Sequence, residues 1–378
     1  MADPRLADLK DLNGEFPFAV PESVDEWNER RAALTRQLLV ANGLWPMPAD
    51  RPPVRATVHG RVHREGYTVD RVFLETSPGL FVTGSYYKPA EPPAEKTPAI
   101  MCPHMHTPAD PGSGGGRFHD CVQEIDGYLA EGGEDFAVGG RHPLQARCVH
   151  LARNMGCAAF LYDMQGGRSD ENHVAGPQAC YGDGGSFNFD VIHRFATQRP
   201  HMSSPAQWGL FSAQAELRMI SVLGIHTYNS LRIVDWLESL PDIDSDRIGV
   251  TGASGGGTQT FMIGAIDPRI SAAFPCVMVS TDMQGGCTCE NASCLRLNTG
   301  NVEIAALMAP RPLGMTAAND WTAEIETKGL PELQAHYALL GAPPGTVQGK
   351  KLEFGHNYNA RSRCEPTRRR PLSVRIYP

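Results

Sequence analysis

The stretch Arg247-Ile-Gly-Val-Thr-Gly-Ala-Ser-Gly-Gly-Gly-Thr-Gln-Thr260 decides how the chain folds. Arg247 to Thr251 reads as a short apolar strand, and Gly252-Ala253-Ser254-Gly255-Gly256 fits the pattern G-x-S-x-G. Thr258 to Ile266 continues with residues that suit a helix. A serine between a strand and a helix must turn sharply to present its hydroxyl. Glycines two residues before and after it remove Cβ atoms that would clash in that turn. The helix behind it aims free N–H groups and a positive dipole end at the serine. In a chain with 39 glycines the five-residue pattern alone decides little; its flanking strand and helix give it meaning.

Outward from this elbow the chain alternates strands and helices. Ser23-Val-Asp-Glu26 is a capping box opening a helix that runs to about Val40, with Trp27, Leu34, Leu38 and Leu39 at helical spacing. Asn42-Gly43 ends it, and Pro46, Pro48, Pro52 and Pro53 form a stiff linker, so residues 1–50 read as an accessory helical arm. Val54 to Tyr87 is β-branched and aromatic, broken by glycines, as in antiparallel hairpins. Pro98 to Pro103 and Cys157 to Tyr162 are continuous apolar runs of the kind found in strands buried on both faces, with a helix at Pro143 to Asn154 between them. Residues 171–212, polar and aromatic-bearing, read as a lid or binding loop. Ala213 to Leu240 reads as a long helix. Ala272 to Val279, Pro312 to Thr316 and Lys351 to Phe354 are the later strands, with a helix at Leu330 to Leu340. The fold class is α/β, a mostly parallel central sheet with helices on both faces, carried by residues 51–360.

A serine nucleophile needs a general base, and the base needs a carboxylate to hold its tautomer. His356, in Phe354-Gly-His-Asn-Tyr358, follows the last strand and is the expected base. Asp320, in Ala317-Ala-Asn-Asp-Trp321, follows the strand before and is the expected acid. Asp282 and Glu290, after the Ala272 strand, are rivals for that role. The tetrahedral intermediate needs two N–H donors, expected from Gly255 and from Met105. His104, Trp208 and Trp321 are candidate substrate-binding residues, although core packing would equally account for the two tryptophans.

A competing reading takes His104-x-His106 as metal ligands of a TIM-barrel amidohydrolase. It leaves the elbow and the Asp320/His356 order unexplained. Cys287, Cys289 and Cys294 lie close together but lack a second ligand pair at zinc spacing. A third reading, a non-catalytic binding protein, would usually lack one member of Ser254, Asp320 and His356, and all three are present.

Composition narrows the partners. A net charge of -8 with no basic stripe in the body argues against nucleic acid. No apolar run is long enough to cross a bilayer. The start lacks the layout of a signal peptide and the 10 cysteines are scattered, so a reducing cytoplasm is expected, or secretion if the numbering is that of a mature form. Homo-oligomerisation is left open.

Several blocks together resemble a known family. Gly252-Ala-Ser-Gly-Gly256, His104 after its strand, Asp163-Met164 after the next, Glu303 to Pro312, Asn319-Asp320 and Gly355-His-Asn-Tyr358 are similar to those of bacterial α/β-hydrolases. The groups in question are the acetyl xylan esterase and dienelactone hydrolase-like serine esterases. The resemblance covers residues 20 to 360 and implies ester hydrolysis, often deacetylation of sugars, without a cofactor. It implies Ser254 as nucleophile, His356 as base and Asp320 as acid. Two stretches depart from it: His104 is followed by Met105 where relatives often have glycine, and residues 361–378 read as an irregular basic tail instead of a closing helix.

Overall fold

The computed structural model describes residues 14–47, 51–91, 93, 95–103, 125–163, 187–188, 217–285 and 289–368. Helix α1 (Val24–Ala41) comes first, capped by Ser23 Oγ on the Glu26 N–H at 3.2 Å. Strands β1 (Arg55–Arg64), β2 (Tyr67–Ser77), β3 (Leu80–Pro89) and β4 (Thr97–Pro103) follow. Helices α2 (Ile125–Ala130), α3 (Ala137–Arg141) and α4 (Pro143–Val149, continued by a π-helical turn His150–Asn154) precede β5 (Ala158–Tyr162). Then come β6 (Phe187–Asn188), α5 (Val222–Ser239), β7 (Ile243–Ala253), α6 (Gly255–Ile266) and β8 (Ile270–Cys276). The chain continues through α7 (Asn301–Ala306), β9 (Leu313–Ala317), α8 (Leu330–Leu339), β10 (Val347–Lys351) and α9 (Ala360–Arg368).

The strands form one sheet in the order β1-β2-β3-β5-β4-β7-β8-β9-β10, with β6 added beside β3. The first three pair antiparallel, as their hairpin texture predicts, and β5 through β10 run parallel. This is the fold of the α/β-hydrolases. Strand alternation sorts the core into two layers. Ala99, Met101, Ala158, Phe160 and Tyr162 face a cluster with α1, α5, α6 and α8; Ile100, Cys102, Ala159 and Leu161 face another with α4 and Tyr358.

Four expectations are corrected. Helix α1 does not stand apart: Trp27, Leu34 and Leu38 are fully buried in the same cluster as the sheet. Within the described part of the helix expected from Ala213 to Leu240 there is a break after Leu217, where Met219 takes φ 53°, and α5 starts afresh at Val222 with Ser221 Oγ accepting from the Gly224 N–H at 3.0 Å. The last strand is Val347–Lys351, where main-chain pairing with β9 holds it, and Leu352 to Phe354 is loop. The irregular tail expected from 361 starts as helix α9. Asn359 Oδ1 caps it through the Ser362 N–H at 3.0 Å, and Arg363 makes two 2.7 Å bonds to Glu134 with both side chains buried. An open sheet also removes the barrel on which the His104/His106 metal reading rested. No helix among the described residues is long and apolar enough to cross a membrane.

Candidate active site

Ser254 sits between β7 and α6 with φ 56° and ψ -125°. A non-glycine residue in that region is uncommon and costs backbone strain, which the surrounding packing must over-determine. The neighbouring glycines show how. A Cβ on Gly252 would lie 2.5 Å from the carbonyl oxygens of both Pro103 and Gly256. One on Gly257 would lie 2.8 Å from that of Cys276. The elbow is therefore wedged between the end of β4, the first turn of α6 and the end of β8, with room for backbone only. Gly255, the expected oxyanion donor, opens α6 directly behind Ser254.

Three main-chain bonds tie the C-terminal strand ends together. Ser254 N–H donates to Cys276 O at 3.2 Å, Val277 N–H to Thr316 O at 2.8 Å, and Asn319 N–H to Phe354 O at 2.7 Å. Val277 itself takes φ 48°, a strained value for a β-branched residue, immediately beside the elbow. The loops after β7, β8, β9 and β10 thus leave the sheet side by side, carrying Ser254, Asp282 with Glu290, Asp320, and His356.

Asp320 Oδ2 lies 2.7 Å from His356 Nδ1. Its other oxygen accepts from the Thr322 N–H at 2.7 Å and the Thr322 hydroxyl at 2.5 Å. Burial alone would push this carboxyl up, but the bonds from His356 and Thr322 outweigh it and hold Asp320 below the usual carboxylate range. An ionised Asp320 keeps the imidazole proton on Nδ1 and leaves Nε2 free to accept one. The carboxylate on Nδ1 is Asp320's; Asp282 and Glu290 do not hold that place.

Sequence reasoning singled out Trp321 for substrate; its ring lies 4.6 Å from that of His356, tilted by 33°. Ser280 Oγ, on the loop after β8, donates to Trp321 O at 2.6 Å and ties the Asp320 loop to the neighbouring strand end. Two further residues escaped notice. Thr322 completes the shell of Asp320. Tyr358, two residues past His356, shares a 2.6 Å bond with Thr251 Oγ1, three residues before Ser254. Tyr358 stood within the Phe354 to Tyr358 stretch, but nothing local marked its phenol as a link to β7.

Met105, His104, His106, Trp208 and Cys287 lie outside the described residues, as does nearly all of 171–212. Among the described residues no three His, Cys, Asp or Glu side chains gather to hold a metal, and neither Cys289 nor Cys294 is in a disulfide.

A family model described as glucuronyl esterase, fungi, matches residues 187–289. No curated protein matches the chain. Among solved structures, the methylesterase BT1017 is similar with a TM-score of 0.64 and 27% identity, over 91% of this chain. The match spans 63% of that protein's length, so this chain is the shorter partner. The glucuronoyl esterase of Solibacter usitatus aligns over 99% of this chain and 100% of its own at 15% identity and a TM-score of 0.59. The acetyl xylan esterase, itself putative, of Bacteroides fragilis NCTC 9343 aligns over 91% and 79% at 17% identity and 0.55. These last two establish likeness of fold alone.

Proposed function

We propose that this α/β-hydrolase is a serine carboxylic ester hydrolase whose nucleophile, base and acid are Ser254, His356 and Asp320. The observation that carries the reading is the 2.7 Å bond between Asp320 and His356, made on loops that leave the same end of the sheet as a strained elbow serine. Ser254 Oγ attacks the ester carbonyl while His356 Nε2 takes its proton. The oxyanion that forms is held by the Gly255 N–H and by a second donor from the segment after β4, for which Met105 is the candidate. His356 returns the proton to the departing alcohol. A water activated by the same nitrogen then releases the acid from the acyl-enzyme. The cycle closes without a cofactor. Residues 51–360 carry it, with α1 packed alongside and 171–212 as the lid or binding loop. None of the seven described cysteines is in a disulfide, which supports a reducing compartment.

For the substrate, carbohydrate esters with a short acyl group such as acetyl fit the acetyl xylan esterase likeness. The family model and the methylesterase likeness support a second arrangement, in which the sugar acid supplies the acyl part and a small alcohol leaves. Acetate released from acetylated xylose, set against methanol released from a methyl uronate, separates the two. Nitrophenyl acetate hydrolysis and labelling of Ser254 by a fluorophosphonate test the chemistry itself. Ser254→Ala is expected to lose on the order of 10⁴ to 10⁶ in turnover while folding normally. A variant that stays active, or a wild type that neither labels nor hydrolyses any ester, overturns the proposal; the latter leaves a binding protein.

A further inference from the structure

Helix α1 buries Trp27, Leu34, Leu38 and Ala41 and turns its other side outward. There Ala32, Thr35 and Leu39, at the spacing that lines up side chains on one face, form the floor of a hollow of about 320 Å³. Arg31 and Arg36 flank that floor, and Asn28 and Trp45 complete the lining. The way the helix ends puts Trp45 there. Gly43 takes φ 67°, and a Cβ on it would lie 2.6 Å from Met219 O, so the turn requires glycine. The Leu44 N–H then donates to Leu39 O at 2.7 Å, and the Leu44 side chain is buried. Trp45 is left 51% exposed, with the Arg36 guanidinium 5.3 Å from its ring centre.

The charges lining this hollow are of one sign. Asp25, Glu26, Glu29 and Arg30 also belong to α1, but none of them lines it, and Arg30 is paired with Glu303 at 2.6 Å. Among the described residues no carboxylate is in ion-pair reach of Arg31 or Arg36. On a chain with a net charge of -8, the hollow is a local inversion. We infer that it is a second binding site, apart from Ser254, Asp320 and His356, for a saccharide that bears a carboxylate. A pyranose presents a flat face of C–H groups that packs on an indole ring. Its hydroxyls suit Asn28 and Thr35, and its carboxylate suits a guanidinium fork, which binds both oxygens at once. A peptide strand has nothing to pair with here, because the main chain of α1 is hydrogen-bonded within its own helix. The choice of a saccharide among anions rests on the carbohydrate-ester reading. Bound there, an acidic polymer is held on the enzyme while an ester elsewhere along it meets Ser254, which raises the local substrate concentration.

Calorimetric titration of the full-length Ser254→Ala protein with trigalacturonate, at low ionic strength, reads the site without turnover. Binding is expected, weakened by added salt and at least about tenfold tighter than that of neutral xylotriose. Adding Trp45→Ala, or Arg31→Gln together with Arg36→Gln, should weaken trigalacturonate at least about tenfold in each case. No binding, or binding that survives both sets of changes, overturns the inference. Equal affinity for xylotriose removes the arginines from it, and equal affinity for a tri-aspartate peptide removes the saccharide. Trp45→Ala in the otherwise wild-type chain should hydrolyse nitrophenyl acetate at the wild-type rate; a lower rate in a folded variant would place Trp45 in the catalytic site and overturn the second one. If the wild type cleaves no ester, the esterase reading fails, and the titrations still decide whether the hollow binds.

Discussion

The phenol of Tyr358 and the hydroxyl of Thr251 share a 2.6 Å hydrogen bond that joins the loop of His356 to the strand that leads into Ser254. Thr251 has one proton to give, and it goes to Phe274 O at 2.8 Å, so Tyr358 is the donor between them. Tyr358→Phe keeps the ring over Arg147 and removes only that donor. We expect a loss of about 1 kcal/mol in urea unfolding and a fall in kcat of up to about tenfold, with KM little changed. A variant equal to wild type in both measurements would show that the bond does not hold His356 in place.

The acid is tested by comparing three carboxylates on one ester. Asp320→Asn should lower turnover by up to about 10⁴, since an amide favours the wrong tautomer of His356 and cannot stabilise the imidazolium. Asp282→Asn and Glu290→Gln should each cost far less, because neither carboxylate occupies Nδ1 of His356. A collapse of either rival with Asp320→Asn active would move the acid to the loop after β8.

Gly252→Ala places a methyl 2.5 Å from two carbonyl oxygens that belong to different elements. Neither oxygen is the tip of a flexible side chain, so the backbone itself must move. The expected cost is about 3 kcal/mol or more in stability, with loss of activity beyond what remains folded. Chemical denaturation beside titration of fluorophosphonate-reactive serine separates the two effects.

His336 makes stability depend on pH. Its ring is fully buried 4.2 Å from Trp27 with neither nitrogen bonded. Burial, assisted by Arg31 and opposed by Glu303, lowers its pKa to about 4. The unfolded chain therefore binds a proton near pH 6.5 that the folded one refuses, and stability falls as pH drops from there towards 4. Allowing for screening, the loss is on the order of 2 kcal/mol. In urea unfolding from pH 7 to pH 4, His336→Leu should flatten that part of the profile; an unchanged slope would assign it elsewhere.

The parts of this molecule that read well from sequence are those in which short-range pattern and tertiary role coincide. The strand, serine and helix of the elbow are adjacent in the chain, and the steric demand on Gly252 is written in one residue. Asp320 and His356 were placed by following strands in order, and their bond is a consequence of β9 and β10 lying side by side. What escaped depends on distant partners. Helix α9 looked unformed because Pro366 and the arginines argue against a helix, yet Arg363 is paired with Glu134, 229 positions away. Thr322 and Tyr358 carry no local signature of bonds to Asp320 and Thr251.

The three N–H groups that stitch the strand ends, those of Ser254, Val277 and Asn319, lie just past β7, β8 and β9, and each is bonded to a main-chain carbonyl of the neighbouring segment. Solvent deuterium reaches such amides only when the strands part. These three amides are therefore expected to exchange as slowly as the core of the sheet, so the frame of the site lasts as long as the sheet does, while the loops and side chains hung on it can open earlier.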